Sequence, residues 1–375
     1  LKAINYLKNY AEKLNYEVIE IPFDCQIWKS KKSIIKINDK KIEIFASPFS
    51  PYFKAEKKIA VVNNFEELSN TDLTDKIVCL QNEITQEPLM PKNFPFYYPD
   101  EHKNIIETLE RKRPAAILTV TKKHQMCGLT PFPLFEDGNF LIPSAYIDTA
   151  AAKTLFSQSP QKIFLHINSF SKKSESSQII ITKKSESNNK DNKKIIVICA
   201  HIDSKYNTPG AIDNASGIAV LLELMATLKD INFKYEIQFI PFNGEEYYEV
   251  SGELKYLEFM NDCLQNIEMV VNLDGLGYNK FKTSVSLYNF EMLEKNKISQ
   301  IINRFENINL GEEWYAGDHS IFAFQKIKAA AFTASDTNSE VLNITHTQKD
   351  TIDNIDIESL IATAEFVKEL LLTVL

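Results

Sequence analysis

KIIVICAHIDSKYNTPGAIDNASG, residues 194–217, is the stretch on which the fold turns. From Ile195 to Ala200 it is an unbroken apolar and largely β-branched run, the pattern of a strand covered on both faces. The run ends abruptly in His201 and Asp203. Pro209 and Gly210 then mark a turn. Asp213 stands at the head of a segment with Ile218, Leu221, Leu222, Met225 and Leu228 at helical spacing. A buried strand, a loop carrying a histidine and two aspartates, and an amphipathic helix thus follow one another directly.

The same rhythm continues outward. YEIQFIPF (235–242), IEMVVNL (267–273) and KAAAFTA (328–334) read as further strands, and DIESLIATAEFVKELLLTVL (356–375) as a closing helix. Strands alternating with helices predict an α/β fold, a mixed, largely parallel sheet with helices on both faces. The predicted strands also end alike. YEIQFIPF runs into Asn243, Gly244, Glu245 and Glu246, and IEMVVNL into Asp274 and Gly275. His346 lies between the last strand and the closing helix. Ligands of open α/β sheets bind outside the carboxyl ends of the strands.

Imidazole and carboxylate donors gathered from separate strand ends are what a divalent metal site requires, and zinc suits the mixture. The residues divide into two sets with one shared member: His201, Asp213 and Asp274, and Asp213, Glu246 and His346. A shared carboxylate bridges two ions, and two ions about 3.5–4 Å apart polarise one carbonyl together. Asp203 is placed to hold the His201 imidazole from behind, and Glu245 is left over as a base. Each residue alone has an ordinary explanation. A histidine at a strand end is usually structural, an Asp before a helix is usually a cap, and adjacent glutamates are usually solvated. Asp274-Gly275 reads as a turn. Their arrival at successive strand ends of one sheet is not explained that way.

AHIDS and GAIDNASG, FNGEEYYEVSGELKYL, VVNLDGLG, GDHSIF and HTQKDTIDNID, in this order over residues 170–375, resemble the motifs of the M28 zinc aminopeptidases. The resemblance implies two Zn²⁺ per chain on the five ligands above, Asp203 orienting His201, and Glu245 as general base. It also implies substrates that are peptides with a free N-terminus. The chain departs from the family pattern at Gly252-Glu253, where a Gly-Ser pair is common, and at Gly317, where a Ser often precedes the Asp-His of Asp318-His319. Neither departure falls on a ligand, so both bear on substrate shape. Tyr315 is the position expected for an oxyanion or substrate contact; Trp314 beside it reads as a packing residue, with the lining of a specificity pocket as the alternative. Asp318 and His319 read as supporting residues.

DLTDKIVCLQNE, RPAAILTVTK and LIPSAYIDTAAAKTL resemble, more loosely, segments of the protease-associated (PA) domain, a mainly β module inserted in many members of that family. The expected division is therefore 1–40, the start of the peptidase domain; 41–168, a PA-like insert; and 169–375, the main part of the peptidase domain. Between insert and main part, SKKSESSQIIITKKSESNNKDNKK reads as an exposed hairpin or linker around one short strand.

Composition bounds the partners. The 375 residues exceed one simple core, and 44% hydrophobic with 25% charged residues is ordinary for a globular chain. A net charge of −8 argues against nucleic acid or an anionic membrane surface as the main partner. No apolar run reaches the roughly 20 residues of a membrane span. LKAINYLKNYAEKLNYEV is an amphipathic helix and not a signal peptide. The five cysteines lack CxxC pairing and fit reduced thiols. A cytoplasmic location is expected, or secretion if a leader has been removed; the oligomeric state is not encoded. Three other functions compete. A glutaminyl cyclase-like acyltransferase would use one zinc. A glutamate carboxypeptidase-like enzyme would grip carboxylates with arginines, yet the chain holds only Arg111, Arg113 and Arg304. A binding protein that lost the chemistry would have lost ligands, and none is missing.

Overall fold

The computed structural model describes residues 2–37, 40–92, 94–124, 128–157, 160–185, 194–247, 251–335 and 340–374. The chain divides into two compact units: Leu1–Phe23 with Ser176–Glu246 and Val250–Leu375, and Asp24–Glu175 with Tyr247–Glu249. Helix α1 (Lys2–Lys13) buries Ile4, Leu7 and Ala11, three and four residues apart, and leads into β1 (Glu17–Ser30).

Seven strands then close a barrel. They are β2 (Ser33–Ile37), β3 (Lys40–Ala46), β4 (Phe53–Val62), β5 (Ile77–Leu80), β6 (Ala116–Thr121), β7 (Ser144–Asp148) and β8 (Lys162–Ile167), ordered β2-β3-β7-β6-β5-β4-β8. Helices α2 (Phe65–Asn70), α3 (Asp100–Lys112) and α4 (Thr149–Phe156) are set between them. Ile35, Ile44, Cys79, Leu118 and Leu165 belong to one apolar cluster of this unit, while Leu68 of α2 and Leu109 of α3 share a second with Val78 and Leu80. The unit starts at Asp24 and ends at Glu175, wider than the expected 41–168. The reason is β2, which pairs with both β3 and β8 and so is part of the barrel.

The other unit is a mixed α/β structure. After β9 (Ser169–Lys183) come β10 (Ile195–His201), α5 (Ser216–Thr227), β11 (Glu236–Phe242), α6 (Ser251–Met260) and β12 (Ile267–Leu273). They are followed by β13 (Thr283–Tyr288), α7 (Met292–Ile302), β14 (Ile308–Leu310), α8 (Ser320–Ala323), β15 (Lys328–Ala334) and α9 (Ile357–Val374). The eight-stranded sheet has the order β1-β9-β11-β10-β12-β15-β13-β14. β10 pairs in parallel with β11 and with β12, and β12 in parallel with β15. β9 and β13 join antiparallel to β11 and β15.

β9 corrects the linker reading of residues 171–194. Its Ile179, Ile180 and Ile181 are fully buried and its end pairs with β11. The polar flanks hid a β-branched run long enough to enter the sheet; residues 186–193, like Cys127, lie outside the described residues. Helix α5 buries Val220, Leu221, Leu224 and Met225, whereas Ile218 and Leu222 of the expected face are only partly covered. Packing against β10, β12 and α9 turns the helix so that a broader stripe is enclosed. On the alternate sheet face Phe242 meets Tyr256 of α6 and Phe322 of α8. No helix among the described residues is long and apolar enough to cross a membrane.

Candidate metal centre

The carboxyl ends of β10, β11 and β12 lie side by side, and the residues that follow them converge. His201, the last residue of β10, is 1% exposed. Its Nε2 lies 3.1 Å from Asp213 Oδ1, 3.3 Å from Asp274 Oδ1 and 4.0 Å from Glu245 Oε2. His346 Nε2 lies 2.9 Å from Asp213 Oδ2 and 3.3 Å from Glu246 Oε2. The two oxygens of Asp213 thus face two different histidines. His201, Asp213 and Asp274 form one set whose donor atoms lie within 4.8 Å of one another, and Asp213, Glu246 and His346 form the other.

Local structure fixes each member. Asp213 has φ −119° and ψ 90°, outside the helix that follows, so its side chain is turned toward the strand ends. Its backbone N–H and that of Ile212 both donate to the fully buried Asp350, at 3.2 and 2.6 Å. Asn214 ties the same turn to β12, donating to the Leu273 carbonyl while its Oδ1 accepts from Gly217. A side chain at Gly217 would strike that carbonyl, its Cβ 2.3 Å from Leu273 O, so glycine permits the close approach. Gly244 has φ +108°, a conformation open only to glycine, and it bends the chain after β11 into the Glu245-Glu246 turn. His346 takes φ +61°, uncommon for a non-glycine residue.

Asp203 does more than stand behind His201. The His201 Nδ1 is 3.2 Å from the Asp203 backbone oxygen and 3.7 Å from its carboxylate. That carboxylate accepts the N–H groups of Gly244, Glu245 and Glu246 at 3.2, 3.2 and 3.1 Å. One side chain therefore orients the histidine and holds the turn that carries both glutamates. Burial would raise Asp203, but His201 and those N–H donors keep it below the usual carboxylate range.

Burial opposes charge on both histidines, yet the carboxylates outweigh it. Glu245, Asp274, Asp203 and Asp213 raise His201 well above the imidazole range, and Glu246 with Asp213 does the same to His346. Asp213 responds in the opposite direction: its burial is overcome by hydrogen bonds from both histidines, which lower it. Burial, then the charges of Glu246, Asp274 and Asp213, push Glu245 well up, beyond the opposing pull of His201. Glu246 is likewise raised by burial and Asp213, against His346 and Lys205. Besides Asp203, which N–H groups satisfy, the four carboxylates of Asp213, Glu245, Glu246 and Asp274 crowd together and call for cations. Two imidazoles and mixed carboxylate oxygens are donors that fit zinc.

Below the cluster runs a neutral hydrogen-bonded chain that sequence reading did not assemble. Cys199 Sγ donates to Asn272 Oδ1 at 3.4 Å, and Asn272 Nδ2 meets His319 Nδ1 at 3.2 Å. His319 Nε2 then donates to the Trp314 carbonyl at 2.8 Å, and burial lowers the imidazole and keeps it neutral. The Tyr288 hydroxyl accepts from Trp314 N at 2.6 Å and donates to its carbonyl. Trp314 is held at both backbone polar groups. A Cβ on Gly317 would lie 2.8 Å from the indole and 3.2 Å from Asp274 Oδ2, so the missing side chain leaves room for the tryptophan beside the aspartate. Tyr315 is not brought into the cluster. Its hydroxyl donates to Glu313 at 2.8 Å, its ring stacks on Phe324, and it is 49% exposed. Asp350 and Lys205 were not singled out from sequence, although both lie in quoted motifs. A buried acid four residues after a ligand histidine is the signal that would have found Asp350.

The family model described as Peptidase family M28 matches residues 180–371, more than half of the chain. The chain belongs to peptidase family M28. Aminopeptidase YwaD of Bacillus subtilis is 30% identical over 174 residues, 44% of this chain and 38% of that protein. A probable zinc metalloprotease of Pyrenophora tritici-repentis is 35% identical over 79 residues, 21% of this chain and 18% of that protein. The chain thus spans less than half the length of these curated relatives. Among solved structures, an aminopeptidase from Aneurinibacillus sp. strain AM-1 superposes with a TM-score of 0.77 at 23% identity, covering 98% of this chain and 87% of that one. BSAP, a zinc aminopeptidase from Bacillus subtilis, gives 0.73 at 22% identity with the same coverage. These two likenesses show a shared fold over nearly the whole chain.

Proposed function

We propose that this chain is a zinc-dependent metallo-exopeptidase, an aminopeptidase that hydrolyses the N-terminal residue from peptides. The observation that carries the reading is Asp213, whose two oxygens serve two complete donor sets. His201, Asp213 and Asp274 would hold one zinc, and Asp213, Glu246 and His346 the other. When bound, the ions supply Lewis-acid polarisation of the scissile carbonyl, acidify the attacking water and offset the crowding of carboxylates. Glu245, 4.0 Å from His201, lies in neither set, and unlike that of Asp203 its carboxylate does not hold the 244–246 turn. Its Oε2 accepts the proton of the attacking water and then delivers it to the leaving amine. Asp203 keeps Glu245 in place by gripping its backbone N–H. The acidic surroundings attract a free α-amine, which selects the N-terminal end of a peptide.

The relatives support this reading, since YwaD and BSAP are named as aminopeptidases, the latter a zinc enzyme. Two complete donor sets favour it over a one-zinc acyltransferase. Arg304, the one arginine of the sheet unit, pairs with Glu369, which disfavours the carboxypeptidase reading. We read the sheet unit as the zinc-exopeptidase fold, with a largely parallel sheet, and the barrel as the PA-like insert. Metal analysis and a pair of substrates test the function. An aminoacyl anilide should be cleaved by the two-zinc protein and its N-acetylated form should not. Equal cleavage of both, or a protein without zinc, would reject it.

A further inference from the structure

The loop after β10 grips the Glu245-Glu246 turn from two sides. Asp203 accepts three of its N–H groups, and Lys205, two residues on, donates to its acceptors. The Lys205 backbone N–H donates to Glu246 Oε1 at 3.2 Å. Its Nζ donates to the Glu246 backbone carbonyl and lies 3.9 Å from Glu246 Oε2. Both side chains are well covered, 12% and 3% exposed. Oε2 is also the oxygen that faces His346. Glu246 therefore has one oxygen tied to backbone and offers the other to the second donor set, with a fixed ammonium beside it. Among the described residues, the Asp213 and Asp274 carboxylates form ion pairs with histidine alone.

We propose that Lys205 ranks the two metal positions. It orients Glu246 for ligation through a single oxygen, and its charge repels an ion at the Asp213, Glu246 and His346 position, where burial weakens screening. The His201, Asp213 and Asp274 position fills first. The other holds its ion more loosely, so activity follows the free concentration of the metal. The inference rests on the reading that both donor sets bind divalent ions.

The test is calorimetric titration of the metal-free full chain with Zn²⁺ in the presence of a competing chelator. The wild type should bind two ions with distinct affinities, and His346→Ala should abolish the weaker step only. Lys205→Met should tighten the weaker step about tenfold and leave the stronger one unchanged, while Lys205→Arg keeps the gap. Lys205→Gln repeats the loss of charge should the Met variant fail to fold, with circular dichroism as the check. Two equal steps in the wild type, or an unchanged gap in both neutral variants, overturn the role of Lys205. Fewer than two ions bound by the wild type would instead refute the ion-pair reading itself.

Discussion

The two units of the molecule place polar residues at the same kind of location and use them differently. In the barrel β4, β5 and β6 run parallel, as β11, β10 and β12 do in the sheet. Beyond the carboxyl ends of β4 and β5 stand amides. Asn63 Oδ1 accepts from Gln81 and Asn82 at 3.0 and 2.6 Å, and Asn63 Nδ2 donates to Glu67. Asn64 caps α2 by accepting from Glu67 N at 2.9 Å. These amides pair with one another and with Glu67, and the network ends in structure. Beyond β10, β11 and β12 stand imidazoles and carboxylates, with more acceptors than the protein's own donors can satisfy. Parallel strand ends supply a location, and a surplus of anionic acceptors turns that location into a site.

The largest effect should come from breaking the shared ligand. Asp213→Ala removes a donor from both sets, so zinc content should fall at both positions and hydrolysis should drop to background. The corresponding change in the barrel, Asn63→Ala, should leave zinc content and turnover intact and cost about 1–3 kcal/mol of stability through its lost hydrogen bonds. Metal analysis with thermal denaturation separates the two. A barrel variant that lost zinc would erase the distinction between the units.

Glu245→Gln sharpens the same contrast, because it removes surplus acceptor charge without removing a ligand. The variant should keep its zinc while kcat falls by roughly 10²–10⁴, the contribution of a positioned general base. Near-normal turnover by this variant would move the base elsewhere, with Asp203 the next residue to change.

How much of this was legible beforehand differed between the units for a physical reason. The runs that became β10, β11 and β12 are apolar throughout because both faces are covered, and their abrupt polar ends announced the site. His201, Asp213, Glu246 and Asp274 follow from that pattern, and His346 from its place between the last strand and the closing helix. The strand within 171–194 was legible, but its length and its place in the sheet were not, because its buried isoleucines are flanked by Ser and Lys and pairing with β11 overrides the polar composition. Lys205 and Asp350 escaped because they act on other residues' backbone and carboxylate groups, and such roles depend on distance across the fold. Asp203 was placed correctly beside His201, but its hold on three N–H groups of the 244–246 turn required the turn to be seen.

A smaller effect is expected at Glu253, the departure beyond the NGEE motif. Burial, with the charge of Asp203, pushes this carboxyl up from 4.5 to about 7, against Asp318 and His201. Between those values the folded chain keeps a proton that the unfolded chain has lost, so stability falls as pH rises from 4.5 to about 7 and levels off above. Glu253→Gln cannot ionise. In the metal-free protein it should match the wild type at the acid end and gain roughly 2–3 kcal/mol by neutral pH, at 1.36 kcal/mol per pKa unit. Urea denaturation at several pH values tests the sign. A variant less stable than the wild type at neutral pH would mean that the ionised carboxylate is held by favourable contacts.

The smallest effect should be at Tyr315. The hydroxyl is committed to Glu313 at 2.8 Å, and the exposed ring is fixed by stacking on Phe324 at 5.2 Å between centroids. Trp314, clamped by Tyr288 and His319, is the aromatic residue set beside Asp274. Tyr315→Phe keeps the ring and the stack and removes one exposed hydrogen bond. Turnover of an aminoacyl anilide should therefore change by less than about threefold, under 1 kcal/mol. Gly317→Ala supplies the contrast, because its new Cβ would displace the indole from beside the ligand. The alanine variant should lose more activity than the phenylalanine variant while keeping its zinc. If Tyr315→Phe instead lowers kcat tenfold or more with KM unchanged, the hydroxyl leaves Glu313 during turnover and donates to the developing oxyanion.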